Sequence, residues 1–179
     1  MDFVCPDPTA TVRAANVHAT LSAFKLVPLM AKRLIERHQL HVDDLTPDKF
    51  ILVQRWLDCL KEIQNDIGPQ KLRDVGRLIV ENADFPPHFT DAETMLMAAD
   101  DIYKMNHRGD VGQYVVTKEP SGRFVVRCET PYPRMFEWGV YEGMVKNTKY
   151  KHPGKFSVDF VEGPATGPLT CTLYIKRLT

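Results

Sequence analysis

The sequence has no GxxxxGK(S/T) phosphate loop, no GxGxxG, no HExxH and no GxSxG, which removes the nucleotide-, zinc- and serine-dependent enzyme classes most readily read from a chain. It has no excess of charge of either sign: Lys plus Arg and Asp plus Glu both total 23. The basic footprint of a nucleic-acid binder is therefore missing. No apolar run is long enough to span a bilayer, and Met1 to Pro8 lacks the basic start and apolar run of a signal peptide. Cysteine is scarce. Cys5, Cys59, Cys128 and Cys171 include no pair at CxxC spacing, against the common zinc and thioredoxin-type sites. These absences lead to the expectation of a cytoplasmic chain with reduced thiols, more a binder than an enzyme. The 179 residues, 44% hydrophobic and 26% charged, suit one globular domain with a real core.

What the sequence does contain reads as α+β: a helical part over residues 1–109, then a ββαββ unit over 110–179 with a four-stranded antiparallel sheet. Gln113 to Thr117 and Arg123 to Glu129 are strand-like and flank the turn residues Glu119-Pro120-Ser121-Gly122. Phe124, Val126 and Cys128 alternate with polar neighbours, as do Phe156, Val158 and Phe160, and Leu169, Cys171, Leu173 and Ile175. Period-two alternation means one buried face. Gly163 to Pro168 supplies the second hairpin loop. Cys128 and Cys171 both point inward by parity, as core residues or as a close thiol pair.

Between the hairpins a helix over Arg134 to Thr148 follows Pro133. Its apolar arc, including Phe136, Trp138, Val140, Tyr141, Met144 and Val145, is too wide for a one-sided surface helix. Two-sided contact is expected, with the sheet and with either other helices or a second subunit. Gly139 and Gly143 would permit close backbone approach, either helix on sheet or at a homodimer seam.

Upstream, Thr11 to His38 reads as helix interrupted at Pro28. Thr46-Pro47-Asp48 reads as a helix start running to Asp66, and Pro69 to Ala83 as another helix. Thr90-Asp91-Ala92-Glu93 is a capping box opening a helix that ends at Gly109.

Candidate binding groups cluster where helices give way to sheet. Tyr103 lies one turn before Asn106-His107-Arg108-Gly109-Asp110, and His107 near a helix C-terminus is expected to favour its cationic form. Tyr132 and Arg134 occupy the matching junction, where a hydroxyl and a guanidinium suit an anionic head group. Trp138 and Tyr141 would be apolar walls. His38, His41, Asp43 and Asp44 are close in sequence and are read either as a solvated turn or as metal ligands.

This order of elements, with Tyr132-Pro133-Arg134 leading into Phe136-Glu137-Trp138-Gly139-Val140-Tyr141-Glu142-Gly143, resembles a superfamily comprising haem nitric-oxide/oxygen-binding domains, 4-vinyl-reductase-type (V4R) domains and Bet3-like subunits of the TRAPP tethering complex. Glu81-Asn82-Ala83-Asp84-Phe85-Pro86-Pro87 and Tyr103-Lys104-Met105-Asn106-His107-Arg108 are also similar to a bacterial family carrying an ENAxFPP…YxMNHR pattern. The resemblance implies a small-ligand pocket in the V4R manner, a dimerising scaffold in the Bet3 manner, or haem. Haem-binding members hold the propionates with Tyr-x-Ser-x-Arg. Here Thr130, Tyr132 and Arg134 stand at those positions and only the arginine matches; His88 follows two prolines and His107 ends its helix. The leading expectation is a ligand-binding or sensory domain for a small apolar or amphipathic molecule, contacted by Tyr103, His107, Tyr132, Arg134, Trp138 and Tyr141. The alternatives are a dimeric interaction scaffold, then a haem-binding gas sensor or a cysteine-dependent enzyme.

Overall fold

The computed structural model describes residues 3–41, 43, 45–83, 85–86, 88–147, 149, 154–161 and 170–178. The α+β class holds, with seven helices and two antiparallel sheets among these residues. The expected second hairpin loop (163–168), Leu169 and Asp44 lie outside them.

The main sheet is built from β4 (Gln113–Lys118), β5 (Phe124–Glu129), β6 (Phe156–Phe160) and β7 (Cys171–Arg177), in the order β4-β5-β7-β6. Gly122, at φ +82°, turns the first hairpin, its N–H donating to the Glu119 carbonyl. Phe124, Val126, Cys128, Leu173 and Ile175 fill the inner face at 2% exposure or less, whereas Arg127 on the other face is exposed. Cys128 and Cys171 stand directly opposite one another.

Helix α7 (Arg134–Val145) crosses between the hairpins, three residues shorter than expected. Its two-sided burial is real, but the glycines face a helix rather than the sheet. A Cβ on Gly139 would overlap the Arg73 carbonyl oxygen, and one on Gly143 would lie 2.7 Å from that of Arg77, both in α4 (Pro69–Asn82). Gly76 of α4 meets the Phe136 carbonyl in the same way. Three glycines thus let the two backbones touch. The bidentate Arg73–Glu142 pair (2.7 and 2.8 Å) clamps the crossing from outside, and its hydrogen bonds, ahead of the others from Lys146, hold the Glu142 carboxyl down at about 2.

The N-terminal reading needs correction. Thr11–Arg13 is a strand, β1, pairing with β2 (Phe50–Leu52) and β3 (His107–Arg108) in a small sheet. The helical residues after it divide into α1 (Ala15–Ser22) and α2 (Pro28–Arg37), with Pro28 opening the second. Thr46-Pro47-Asp48 therefore opens no helix; the chain pairs as β2 first, and α3 runs Val53–Asp66. Three-residue strands cannot display alternation, so periodicity merged them with their helices.

The capping box also fails in detail. Asp91, not Thr90, is the N-cap, accepting from the Thr94 N–H at 2.9 Å, while Glu93 pairs with Lys118. The helix breaks at Ala98 into α5 (Ala92–Met97) and α6 (Ala99–Asn106), ending before Gly109 because His107 and Arg108 enter β3.

Candidate functional site

A cavity of about 600 Å³ opens between α1, α4, α6 and α7, with Trp56 of α3 and Tyr114 of β4 contributing to its wall. Its size falls within the roughly 300–1,000 Å³ of small-molecule sites, and its lining is mostly apolar as such sites are. Phe136, Val140 and Met144, one turn apart on α7, form one side. Trp56 is held in place by edge-on contacts with Tyr132 (5.2 Å) and Phe136 (5.4 Å) and donates to the Thr20 hydroxyl at 3.4 Å.

Tyr103, His107 and Tyr132 meet at this cavity, although 25 residues separate the last two. His107 Nδ1 lies 2.8 Å from the Tyr103 carbonyl and Nε2 lies 2.7 Å from the Tyr132 hydroxyl. A carbonyl only accepts, so Nδ1 carries the proton and Nε2 accepts from Tyr132. The expected imidazolium is not what this site holds: burial pushes the His107 pKa down to about 4, because a charged ring would lose its hydration there. Tyr103 in turn donates to the Val111 carbonyl at 2.7 Å.

Behind this array lies a residue that is not among the expected contacts. Glu137 is 0% exposed, accepting from Tyr114 at 2.6 Å and from the Thr130 hydroxyl. The signal was present, as a lone acid inside the apolar arc of α7. Burial, with the Glu137 charge adding to it, pushes the Tyr114 and Tyr132 hydroxyls well above the phenol range, so both remain donors.

The other three expected contacts lie outside the cavity lining. Arg134 is exposed, with its guanidinium 5.8 Å from the Phe160 ring. Trp138 joins α7 to β6, donating to the Val158 carbonyl at 3.0 Å beneath the Arg73 guanidinium. Tyr141 is fully buried against Tyr114 and its hydroxyl has no partner among the described residues. At the other suggested cluster, His38 binds Glu62 and Asp43 pairs with Lys32. No group of metal-ligating residues occurs among the described residues.

Cys128 and Cys171 are free and buried, as are Cys5 and Cys59. Burial raises the Cys128 thiol well above its usual range and the Cys59 thiol to about 12. Thiolate is the reactive form. A disulfide-exchange reagent is therefore expected to titrate less than one thiol per chain in native buffer and all four after denaturation; rapid native labelling of Cys128 would instead mark a nucleophile.

No family model matches the chain, and no curated protein matches it in sequence. Solved structures do. An H-NOX protein from S. oneidensis in the Fe(II)NO ligation state superposes with a TM-score of 0.68 at 13% identity, over 92% of this chain and 99% of that one. A mutant of T. Tengcongensis H-NOX gives 0.63 at 17%, over 93% and 98%. A structure solved to show haem redox potential modulated by porphyrin distortion gives 0.63 at 18%, over 93% and 95%. The fold is that of the H-NOX domain.

The histidines that line the cavity are His18 and His107 among the described residues, and neither is set up to hold a haem iron. Both nitrogens of His107 are engaged, and His18 donates through Nε2 to the Leu45 carbonyl at 2.8 Å. At the three positions set against the Tyr-x-Ser-x-Arg pattern, Thr130 is bound to Glu137, Tyr132 to His107, and Arg134 faces outward. Among the described residues no helix is long and apolar enough to cross a membrane.

Proposed function

We propose that this chain is a non-catalytic ligand-binding or sensory domain of the cytoplasm, which uses the H-NOX-like fold to take up a small apolar or amphipathic molecule in place of haem. The observation that carries this reading is the cavity of about 600 Å³, walled by Trp56, Phe136, Val140 and Met144, whose lining histidines among the described residues, His18 and His107, are both hydrogen-bonded. Tyr103, His107 and Tyr132 supply its hydrogen-bonding floor. With His107 neutral and its lone pair already satisfied, the floor favours an uncharged ligand.

The test is mass spectrometry of the small molecules released when the purified chain is denatured, compared between two variants. Ala19→Trp fills the cavity from α1 and is expected to lose a stoichiometric ligand that Arg134→Ala, on the surface, retains. Loss in Arg134→Ala with retention in Ala19→Trp would move the site elsewhere.

A second reading, the interaction scaffold, draws on one observation. Leu26 (96% exposed), Val27 (45%), Leu29 (74%) and Met30 (48%) form a solvent-facing apolar run at the start of α2. Homodimerisation is expected there rather than at α7, where Tyr141 and Val145 are buried within the chain. A monomer by light scattering at micromolar concentration would remove it.

A further inference from the structure

One side chain in the cavity wall is out of keeping with the rest. Asn16, on α1, is 8% exposed and lines the cavity. Its backbone carbonyl accepts from Thr20 at 2.9 Å, but its carboxamide makes no hydrogen bond among the described residues. The residue is buried as a whole while its amide reaches the cavity, so its partners must come from what the cavity holds. The Tyr141 hydroxyl is sealed off without a partner, whereas the Asn16 amide keeps contact with open space, and the space beside it is the cavity.

The surroundings of Asn16 narrow what could satisfy it. Residues 13–16 run beside 47–49: Ala14 donates to the Lys49 carbonyl at 2.8 Å and Ala15 to that of Pro47 at 3.1 Å. This brings Arg13 and Asp48, both lining the cavity, to the same lip. Their opposite charges offset one another, and Asp48, held below its usual pKa by Thr46 first and also by Arg13 and Lys49, stays ionised. The residues that line the cavity at this lip thus carry one charge of each sign, with no excess in the lining to select a carboxylate or an ammonium head. What remains unmet is the amide itself, an acceptor beside a donor.

Building on the cavity reading above, we infer that the ligand presents to Asn16 an uncharged edge with a donor beside an acceptor, such as a primary carboxamide or a lactam, and lays an apolar body against Trp56, Phe136 and Val140. Asn16 selects the head by pairing both of its own groups; the aromatic and aliphatic wall accepts the body by burial.

The test uses four probes with one chain length: octanamide, methyl octanoate, octanoate and octylammonium. They are titrated into the full chain and followed by the fluorescence of Trp56 in a Trp138→Phe background, since the sequence has two tryptophans. Octanamide is expected to bind about tenfold more tightly than methyl octanoate, which has no N–H to offer and so leaves the Asn16 amide oxygen without a donor. Asn16→Leu is expected to bring the two within about twofold, as an apolar wall cannot distinguish them by hydrogen bonding. Asn16→Asp, nearly isosteric and so the safer variant for folding, is expected to favour octylammonium. Equal affinity for octanamide and methyl octanoate in the parent chain, or a preference surviving both substitutions, overturns the head-group assignment and leaves the cavity standing. If none of the four probes binds, the cavity reading falls as well.

Discussion

Gly139→Ala is expected to lower the unfolding free energy by about 3 kcal/mol, the upper end of overpacking in a filled core. The added methyl would meet the Arg73 carbonyl oxygen, and the Arg77 nitrogen at 2.9 Å. Both are backbone atoms of α4, so no rotamer change makes room; the helices must separate, and Gly76, pressed against the Phe136 carbonyl on the same crossing, would lose its contact too. For a chain of this size the melting temperature should fall by about 6–12 °C. Gly143→Ala should cost less, because its nearest approach, 2.7 Å to the Arg77 carbonyl oxygen, leaves a smaller overlap to relieve than the one at Gly139. Thermal unfolding of the two variants checks the order. A Gly139→Ala chain melting with the parent would show that α4 and α7 do not approach as described. Since both helices also wall the cavity, this crossing sets the cavity's width, and a separated pair should bind any ligand more weakly.

Acid should destabilise the parent chain through His107, by about 3 kcal/mol at 1.36 kcal/mol per pKa unit. The folded-state pKa is depressed from 6.5 to about 4. The stability linked to this group is therefore complete above pH 6.5, where folded and unfolded rings are both neutral. It declines as pH falls from 6.5 to about 4, because only the unfolded chain binds the proton, and below that nothing further is lost. His107→Gln removes the titration while keeping an amide that can accept from Tyr132. Urea unfolding at pH 7, 5.5 and 4 should show the parent losing about 3 kcal/mol more than the variant across that interval; parallel losses would place His107 in solvent. Glu142 titrates lower, its stabilising pair with Arg73 being lost as pH falls from 4.5 towards about 2, so the two acid effects separate on the pH axis.

The sequence is legible where a pattern has room to repeat. Phe124, Val126 and Cys128 alternate over six residues, long enough for a period of two to show, and the main sheet followed. The wide apolar arc of α7 correctly announced contact on two sides. The arc did not say which partner Gly139 would meet, because glycine's fitness for close approach is the same against a sheet, a helix or another subunit. Thr11–Arg13 and Phe50–Leu52 were missed for want of length, and with them the pairing that carries His107 out of its helix. His107 stands out by its position at a helix end, and the same position misleads about its charge: the local dipole favours a cation, but burial beneath Tyr103 and Tyr132 outweighs it. Glu137 stands out in the sequence as the one acid in the apolar arc of α7, without a sign of the hydroxyls it would meet, and Asn16 looks like an ordinary member of its helix.

The sequence by itself determined the α+β class, the four antiparallel strands, the helix between the hairpins and the lack of common catalytic signatures, since these rest on periodicity and local turn chemistry that neighbouring residues carry among themselves. The tertiary structure alone decided that β5 lies against β7, that α7 lies on α4, that Tyr132 occupies the lone pair of His107, and that Arg134 faces outward while Asn16 faces a cavity. Those outcomes depend on desolvation and on contacts between residues far apart in the chain, and no local pattern encodes either.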